Sequence, residues 1–210
     1  INVDDTTVYC SYMKRDLTGA TKEDLLNFEK IYSTMAYVSY DFEKQQKQGE
    51  RFIEIYHDRL DDPLVLDYNS VVTQVNGESY LLSTYTVDED NDLDTGEDKE
   101  LYLEIFNLAT GRNYYPIRIS QDNICQSNPK LTDINGVVYL TWLDNGYIFQ
   151  LMDVSKLLKA FFDTSTGTYS VPLEGEDGAS EETKTVTVDK EKYIQAYVDG
   201  DHKNATWYQQ

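Results

Sequence analysis

Two stretches of the chain alternate apolar and polar residues around a short polar break, and they do so in nearly the same words. Residues 69–83 read NSVVTQVNGESYLLS, and residues 128–142 read NPKLTDINGVVYLTW. Laid over one another they match Asn69 with Asn128, Thr73 with Thr132, Asn76-Gly77 with Asn135-Gly136, and Tyr80-Leu81 with Tyr139-Leu140. Val72/Leu131 and Val75/Ile134 follow as apolar pairs. Alternation of this kind marks a half-buried strand. Asn-Gly between two such runs supplies the positive φ angles that a type I′ turn requires. Each phrase is therefore predicted to be a β-hairpin.

The echo extends beyond the hairpins. Residues 101–117, LYLEIFNLATGRNYYPI, carry Thr110-Gly111 and then Pro116, while residues 164–173, TSTGTYSVPL, carry Thr166-Gly167 and then Pro172. Each unit is thus predicted to hold a third and a fourth strand joined at a Gly turn. Upstream, RFIEIY at 51–56 parallels LYLEIF at 101–106, and TMAYVSYDF at 34–42 stands where a second strand belongs. Near the end, KYIQAYVDGDHKNATW at 192–207 offers Asp199-Gly200 as a turn and Trp207 in the place of Trp142.

Two segments break the β pattern. TKEDLLNFEKIY at 21–32 opens on Thr21 and Asp24 in capping-box fashion and spaces Leu25, Leu26 and Phe28 for a short helix. VSKLLKAFF at 154–162 is helical in period and falls inside the third-to-fourth strand connection of its unit. EGEDGASEETK at 174–184 is polar and acidic with no apolar period, as in a connecting segment.

Four-stranded antiparallel units recurring every roughly fifty to sixty residues resemble the blades of a β-propeller, in which each sheet buries one face on the blade before and one on the blade after. The resemblance covers about residues 33–207. The inner hairpins are similar to those in propellers of secreted bacterial proteins, which read Pro, alternating apolar residues, Asn-Gly or Asp-Gly, Tyr-Leu, Trp. The Asp-box of sialidases (Ser-x-Asp-x-Gly-x-x-Trp), the Trp-Asp ending of WD40 blades and the Gly-Gly pair of kelch blades are not found, so no particular propeller family's activity carries over. The expected fold is all-β: consecutive four-stranded antiparallel blades of a partial propeller, with two short helical insertions. Residues 1–32 read as a lead-in strand and short helix, 33–68 as a partial blade, 69–122 as a blade, 123–184 as a blade with the helical insert and acidic connection, and 185–210 as the start of a further, truncated blade. Because propeller rings hold about four to eight blades, the resemblance implies further blades of the same polypeptide in preference to self-assembly.

Charge narrows the choice of partners. The chain carries 18 Lys and Arg against 38 Asp and Glu, a formal net charge of -20, which sets aside nucleic acid and anionic bilayers. Eighteen tyrosines against three methionines fit a β-rich protein, since aromatic rings pack well on pleated surfaces. No run of eighteen apolar residues is present, so no membrane-spanning helix is expected. Cys10 and Cys125 lie far apart and neither belongs to a CxxC pair; they either bridge or remain two thiols.

Several residues are candidates for chemistry. DEDNDLDTGEDKE at 88–100 places Asp90, Asp92 and Asp94 in alternation ahead of Gly96, so a turning loop could aim several carboxylates at one Ca²⁺. The EF-hand pattern fails, since Thr95 and Leu101 fall at its sixth and twelfth positions, and the competing reading is a solvated acidic loop. Trp142 and Trp207 occupy matching places, either to stack on a sugar or to pack between blades. Asn69 and Asn128 begin the innermost strands, where they either line a central funnel or cap a turn. Asp133 is the one carboxylate singled out as a catalytic candidate, with Gln74 in its place one unit earlier. His57 and His202 have no nucleophile or ligand pattern around them and read as surface residues.

The leading expectation is a non-catalytic segment of an extracellular or cell-surface propeller protein that binds a glycan or another protein at a blade rim. A second is part of a propeller glycoside hydrolase or lyase, its two carboxylates completed by missing blades. A third is a structural spacer.

Overall fold

A computed structural model describes residues 1–4, 6–16, 21–23, 32–54, 64–88, 99–114, 116–120, 123–163, 166–173, 183–189, 193–195 and 197–198. The chain forms a series of antiparallel sheets in which neighbours in sequence are mostly neighbours in space. The first sheet comprises β1 (Asn2–Asp4), β2 (Thr7–Asp16), β3 (Tyr32–Asp41) and β4 (Gln46–Glu54). The second comprises β5 (Leu64–Val75), β6 (Glu78–Asp88), β7 (Lys99–Asn107) and β8 (Arg112–Tyr114), with the short β9 (Ile117–Arg118) beside β7. The third comprises β10 (Gln126–Ile134), β11 (Val137–Asp144) and β12 (Ile148–Asp153), and the helix α1 (Val154–Asp163) follows directly. β13 (Thr166–Pro172) pairs with β14 (Thr183–Asp189), and an isolated bridge from Met152 to Leu173 joins this pair to the third sheet. The chain then returns: β15 (Tyr193–Gln195) adds to β8 and β16 (Tyr197–Val198) adds to β4.

Both predicted hairpins are present. Asn76 and Gly77 turn with φ of 53° and 82°, and Asn135 and Gly136 with 55° and 81°. These are the left-handed angles that let a two-residue loop follow the twist of its strands. A third turn of the same kind, at Asn145 and Gly146 (52° and 77°), joins β11 to β12. Two bulges complete the likeness between the hairpins. In β5 the register slips between Leu66 and Asn69, opposite Tyr85, and in β10 it slips between Ser127 and Lys130, opposite Trp142. The extra residue is left-handed in each case, Asp67 and Asn128 both having φ of 52°. Asp and Asn are among the few side chains that tolerate that conformation.

The second sheet is covered on both faces, and β6 is buried at every position from Tyr80 to Asp88. Odd-numbered residues of β6 turn toward the first sheet. Leu81 joins Met35, Tyr37, Val72 and Phe106 in one cluster, with Tyr37 and Phe106 in tilted ring contact at 5.5 Å. Even-numbered residues turn toward the third sheet, where Tyr80 and Leu82 share a larger core with Leu131, Leu140, Trp142 and the helix residues Leu157 and Phe161. The three sheets therefore lie face to face in chain order. Helix α1 closes the far side of that core with Val154, Leu157, Leu158 and Phe161, the i, i+3, i+4, i+7 stripe of an amphipathic helix.

The all-β class is as expected, and the helix expected over 154–162 is found at Val154–Asp163. Of the helix expected over 21–32, Thr21 to Glu23 and Tyr32 are described: Lys22 and Glu23 are helical, and Tyr32 is the first residue of β3. Three segments differ from the sequence reading. Residues 1–16 are more than a lead-in, because β2 pairs along its whole length with β3, from Thr7–Asp41 to Asp16–Tyr32, which gives the first sheet four strands instead of a partial set. Gly167 makes no turn; it sits inside β13, paired with Val188. Over 185–210, the described residues pair backward onto β13, β8 and β4 and do not open a new sheet; residues 199–210 lie outside the described residues.

Candidate functional site

The hairpins of the second and third sheets run side by side. Their inner strands, β5 and β10, are linked by side chains at three levels. Asn69 Oδ1 accepts the Leu131 backbone N–H at 2.9 Å, the Thr73 hydroxyl donates to Asp133 Oδ2 at 3.4 Å, and the Asn128 backbone N–H reaches Asp67 Oδ2 at 3.4 Å. All three pairs are separated by 60 to 62 residues, so the repeat seen in the sequence is also the contact between the two strands.

These bonds define what the candidate residues do. Asn69 satisfies an N–H on the open edge of β10, which would otherwise be a liability. Asn128 forms the left-handed bulge opposite Trp142. Asp133 holds its own turn: its Oδ1 accepts the Gly136 N–H at 2.8 Å while Oδ2 takes the Thr73 hydroxyl. Both oxygens of the carboxylate singled out for catalysis are thus engaged in stabilising the corner. Trp142 is 1% exposed and its indole Nε1 donates to Asp144 Oδ1 at 2.8 Å, so its ring packs the core and offers no face to a sugar. Asp90, Asp92, Asp94 and Trp207 lie outside the described residues. Among the described residues no group of three or more His, Cys, Asp or Glu is placed to hold a metal. Cys10 and Cys125 are separate thiols, both partly buried.

Beside the two Asn-Gly corners, the helix leaves a cavity of about 290 Å³. Thr73, Gln74, Val75 and Asn76 line it from the first hairpin, Gly136 from the second, and Ser155, Leu158, Lys159 and Asp163 from α1. The helix is fixed there by its N-terminus. Asp153 Oδ1 accepts the Ser155 N–H at 2.9 Å, an N-cap bond, and Ser155 Oγ in turn accepts the Val138 N–H at 2.8 Å. Phe162 rests on Tyr80 with ring centroids 4.8 Å apart, and Phe161 meets Tyr114 edge-on at 5.1 Å. The wall is chemically mixed, with amides, hydroxyls, one ammonium and one carboxylate beside the apolar surface of Val75 and Leu158. It can donate to and accept from a polar ligand while covering one apolar patch of it. Sequence reading missed this place, because it is assembled from a hairpin tip and a helix face some eighty residues apart; the only signal was the helical period of 154–162 beside the repeat.

A polar cluster lies next to the first corner. Glu78 Oε2 accepts the Tyr80 hydroxyl at 2.7 Å and the Asn107 side-chain N–H at 2.9 Å. Burial, and then the hydrogen bond to Glu78, push the Tyr80 phenol well above its ordinary pKa, so it stays a neutral donor. Asn107 Oδ1 in turn caps the turn after β7 through the N–H groups of Ala109 and Thr110. On the opposite face of the second sheet, Glu100 pairs with Arg118 at 3.0 Å and Glu104 accepts from Asn113 at 2.9 Å, both within the sheet itself.

No family model matches this chain, and no curated protein or solved structure matches it.

Proposed function

We propose that the chain is a non-catalytic binding segment of an extracellular or cell-surface protein of the β-propeller type, its stacked sheets acting as consecutive blades. Its ligand on this reading is a glycan, held in the cavity between the Asn-Gly corners and helix α1. The observation that carries the proposal is that cavity: about 290 Å³, suited to roughly one sugar ring, with Asn76, Lys159 and Asp163 around the apolar patch of Val75 and Leu158. Sugars present hydroxyl groups around an apolar ring face, and a wall of mixed donors and acceptors beside aliphatic carbon matches both. The engagement of Asp133 by Gly136 and Thr73 favours binding over hydrolysis at this corner.

The test is a glycan array probed with the purified chain, followed by calorimetric titration of any hit. Lys159→Ala and Asp163→Ala remove exposed side chains of the wall. Each is expected to weaken binding about tenfold, the loss of one charge-assisted hydrogen bond. Retention of full affinity by both variants, or an array with no hit, would rule the site out.

A further inference from the structure

Asparagine stands directly before glycine three times in the chain, at Asn76-Gly77, Asn135-Gly136 and Asn145-Gly146. All three pairs are exposed and all three hold the left-handed turn, with φ of 53°, 55° and 52° at the asparagine and 82°, 81° and 77° at the glycine. Crowding does not separate them, since a Cβ at any of these glycines would meet no atom beyond its chain neighbours within 4 Å. Hydrogen bonding does. At the second corner Asp133 Oδ1 accepts the Gly136 N–H at 2.8 Å. At the β11–β12 turn the Asn145 N–H donates to the Cys125 carbonyl at 2.8 Å, and the Tyr147 N–H to that of Asp144 at 3.2 Å. At the first corner Gln74 takes the place of Asp133, and among the described residues nothing accepts the N–H of Asn76 or of Gly77.

The contrast matters because an asparagine before glycine can react with its own backbone. Glycine has no Cβ to shield its nitrogen. That nitrogen attacks the asparagine Cγ, the new N–Cγ bond closes a cyclic imide, and the side-chain nitrogen leaves as ammonia with the proton that the glycine nitrogen gives up. Water then adds to either carbonyl of the imide and opens it, to aspartate or, with the backbone rerouted through the side chain, to isoaspartate. Solvent water is the only co-reactant. Closing the ring takes the asparagine out of the left-handed turn, so the reaction runs through locally opened conformers of the corner. Where the attacking N–H is bonded to a carboxylate, that bond must break on the way, which makes such conformers at least about tenfold rarer.

We propose that Asn76 is a site of spontaneous modification, deamidating in the folded chain while Asp133 and the Cys125 carbonyl hold the other two Asn-Gly pairs back. Asn76 lines the cavity beside helix α1, so either product sets a carboxylate in that wall. Isoaspartate does more. It lengthens the backbone inside a two-residue loop, between the paired Val75 and Glu78, whose twist had matched its strands. The first corner thereby records the age of the molecule, and the second, identical in its Asn-Gly, does not.

Peptide mapping by mass spectrometry on the 210-residue chain, held for days in mildly alkaline buffer, reads the conversion at each asparagine. Isoaspartate is expected to accumulate at Asn76 at least about tenfold faster than at Asn135, and faster than at Asn145. In urea the three should react at like rates, because each is followed by glycine and the fold no longer tells them apart. Asp133→Ala takes the acceptor from the Gly136 N–H and should speed conversion of Asn135 about tenfold, with Asp133→Asn giving a smaller gain. If Asp133→Ala fails to fold, the wild-type comparison between buffer and urea still decides. No conversion at Asn76 in the folded chain, equal rates at Asn76 and either other asparagine, or an Asn135 rate untouched in folded Asp133→Ala would overturn the proposal. No ligand enters these measurements, so their failure is distinct from failure of glycan binding in the cavity.

Discussion

Asn69 reaches out of β5 to accept the backbone N–H of Leu131 in β10 at 2.9 Å, joining two sheets through a residue of the repeat itself. Asn69→Leu keeps the size of the side chain but removes the acceptor and leaves a partly buried N–H unmade, which costs about 1–3 kcal/mol. Urea unfolding should show a lower midpoint for Asn69→Leu and a smaller change for Asn69→Asp, which keeps an oxygen in place. Equal midpoints for wild type and Asn69→Leu would show that the contact carries no stability.

Trp142 fills the third sheet's side of the core opposite the bulge at Asn128. Trp142→Ala should cost about 3–5 kcal/mol, a large share of a typical domain's 5–15 kcal/mol. Trp142→Phe preserves most of the volume but withdraws the indole N–H from Asp144, which keeps its bond from Gln150 at 2.8 Å. Its cost should therefore be nearer 1–3 kcal/mol. Chemical denaturation of the two variants checks the order.

At Gly136 a Cβ would meet no atom within 4 Å, so Gly136→Ala tests the backbone alone. With φ of 81° the alanine is strained by about 1–2 kcal/mol, lowering Tm by roughly 2–8 °C. Asn135→Gly removes no such constraint and should leave Tm within about a degree or two. Differential scanning calorimetry separates them.

Three tyrosines set an alkaline limit. Burial raises the phenol pKa of Tyr68, Tyr80 and Tyr85, with Glu78 adding to the effect at Tyr80. A group whose folded pKa lies above its unfolded value contributes stability that is complete below the unfolded value, here near 10, and declines as pH rises from there toward the folded one. Urea midpoints measured from about pH 8 to about pH 11 should hold level and then fall above pH 10, with Tyr80→Phe falling less steeply. A flat profile through the whole range would contradict the buried state of these phenols.

Much of this was legible in the chain. The two Asn-Gly corners, the Gly turn at Gly111 and the helix at 154 are set by local chemistry: positive φ, a left-handed cap, a 3.6-residue period. Where the sequence misled, contacts from elsewhere had decided the matter. β2 reads only as a lead-in because its inward positions, among them Tyr9 and Ser11, and its outward positions, among them Val8 and Tyr12, are of like polarity, so the alternation that betrays a one-sided strand is weak. Thr166-Gly167 looked like Thr110-Gly111, yet a glycine can sit in a strand when a partner such as β14 supplies the pairing. The Asn145-Gly146 turn is spelled Asp-Asn-Gly at 144–146, just beyond the repeated phrase, so the match between the two copies does not point to it. The cavity was hidden because no local pattern reports where a hairpin tip and a helix will meet.

A single residue separates β15 from β16, yet the first adds to the outer edge of the second sheet and the second to the outer edge of the first. That short stitch binds two hems of the stack with one thread. The first and second sheets cannot hinge apart at their periphery without ripping it, so prising them open demands that backbone pairing be undone as well as side chains drawn out of the grease between them.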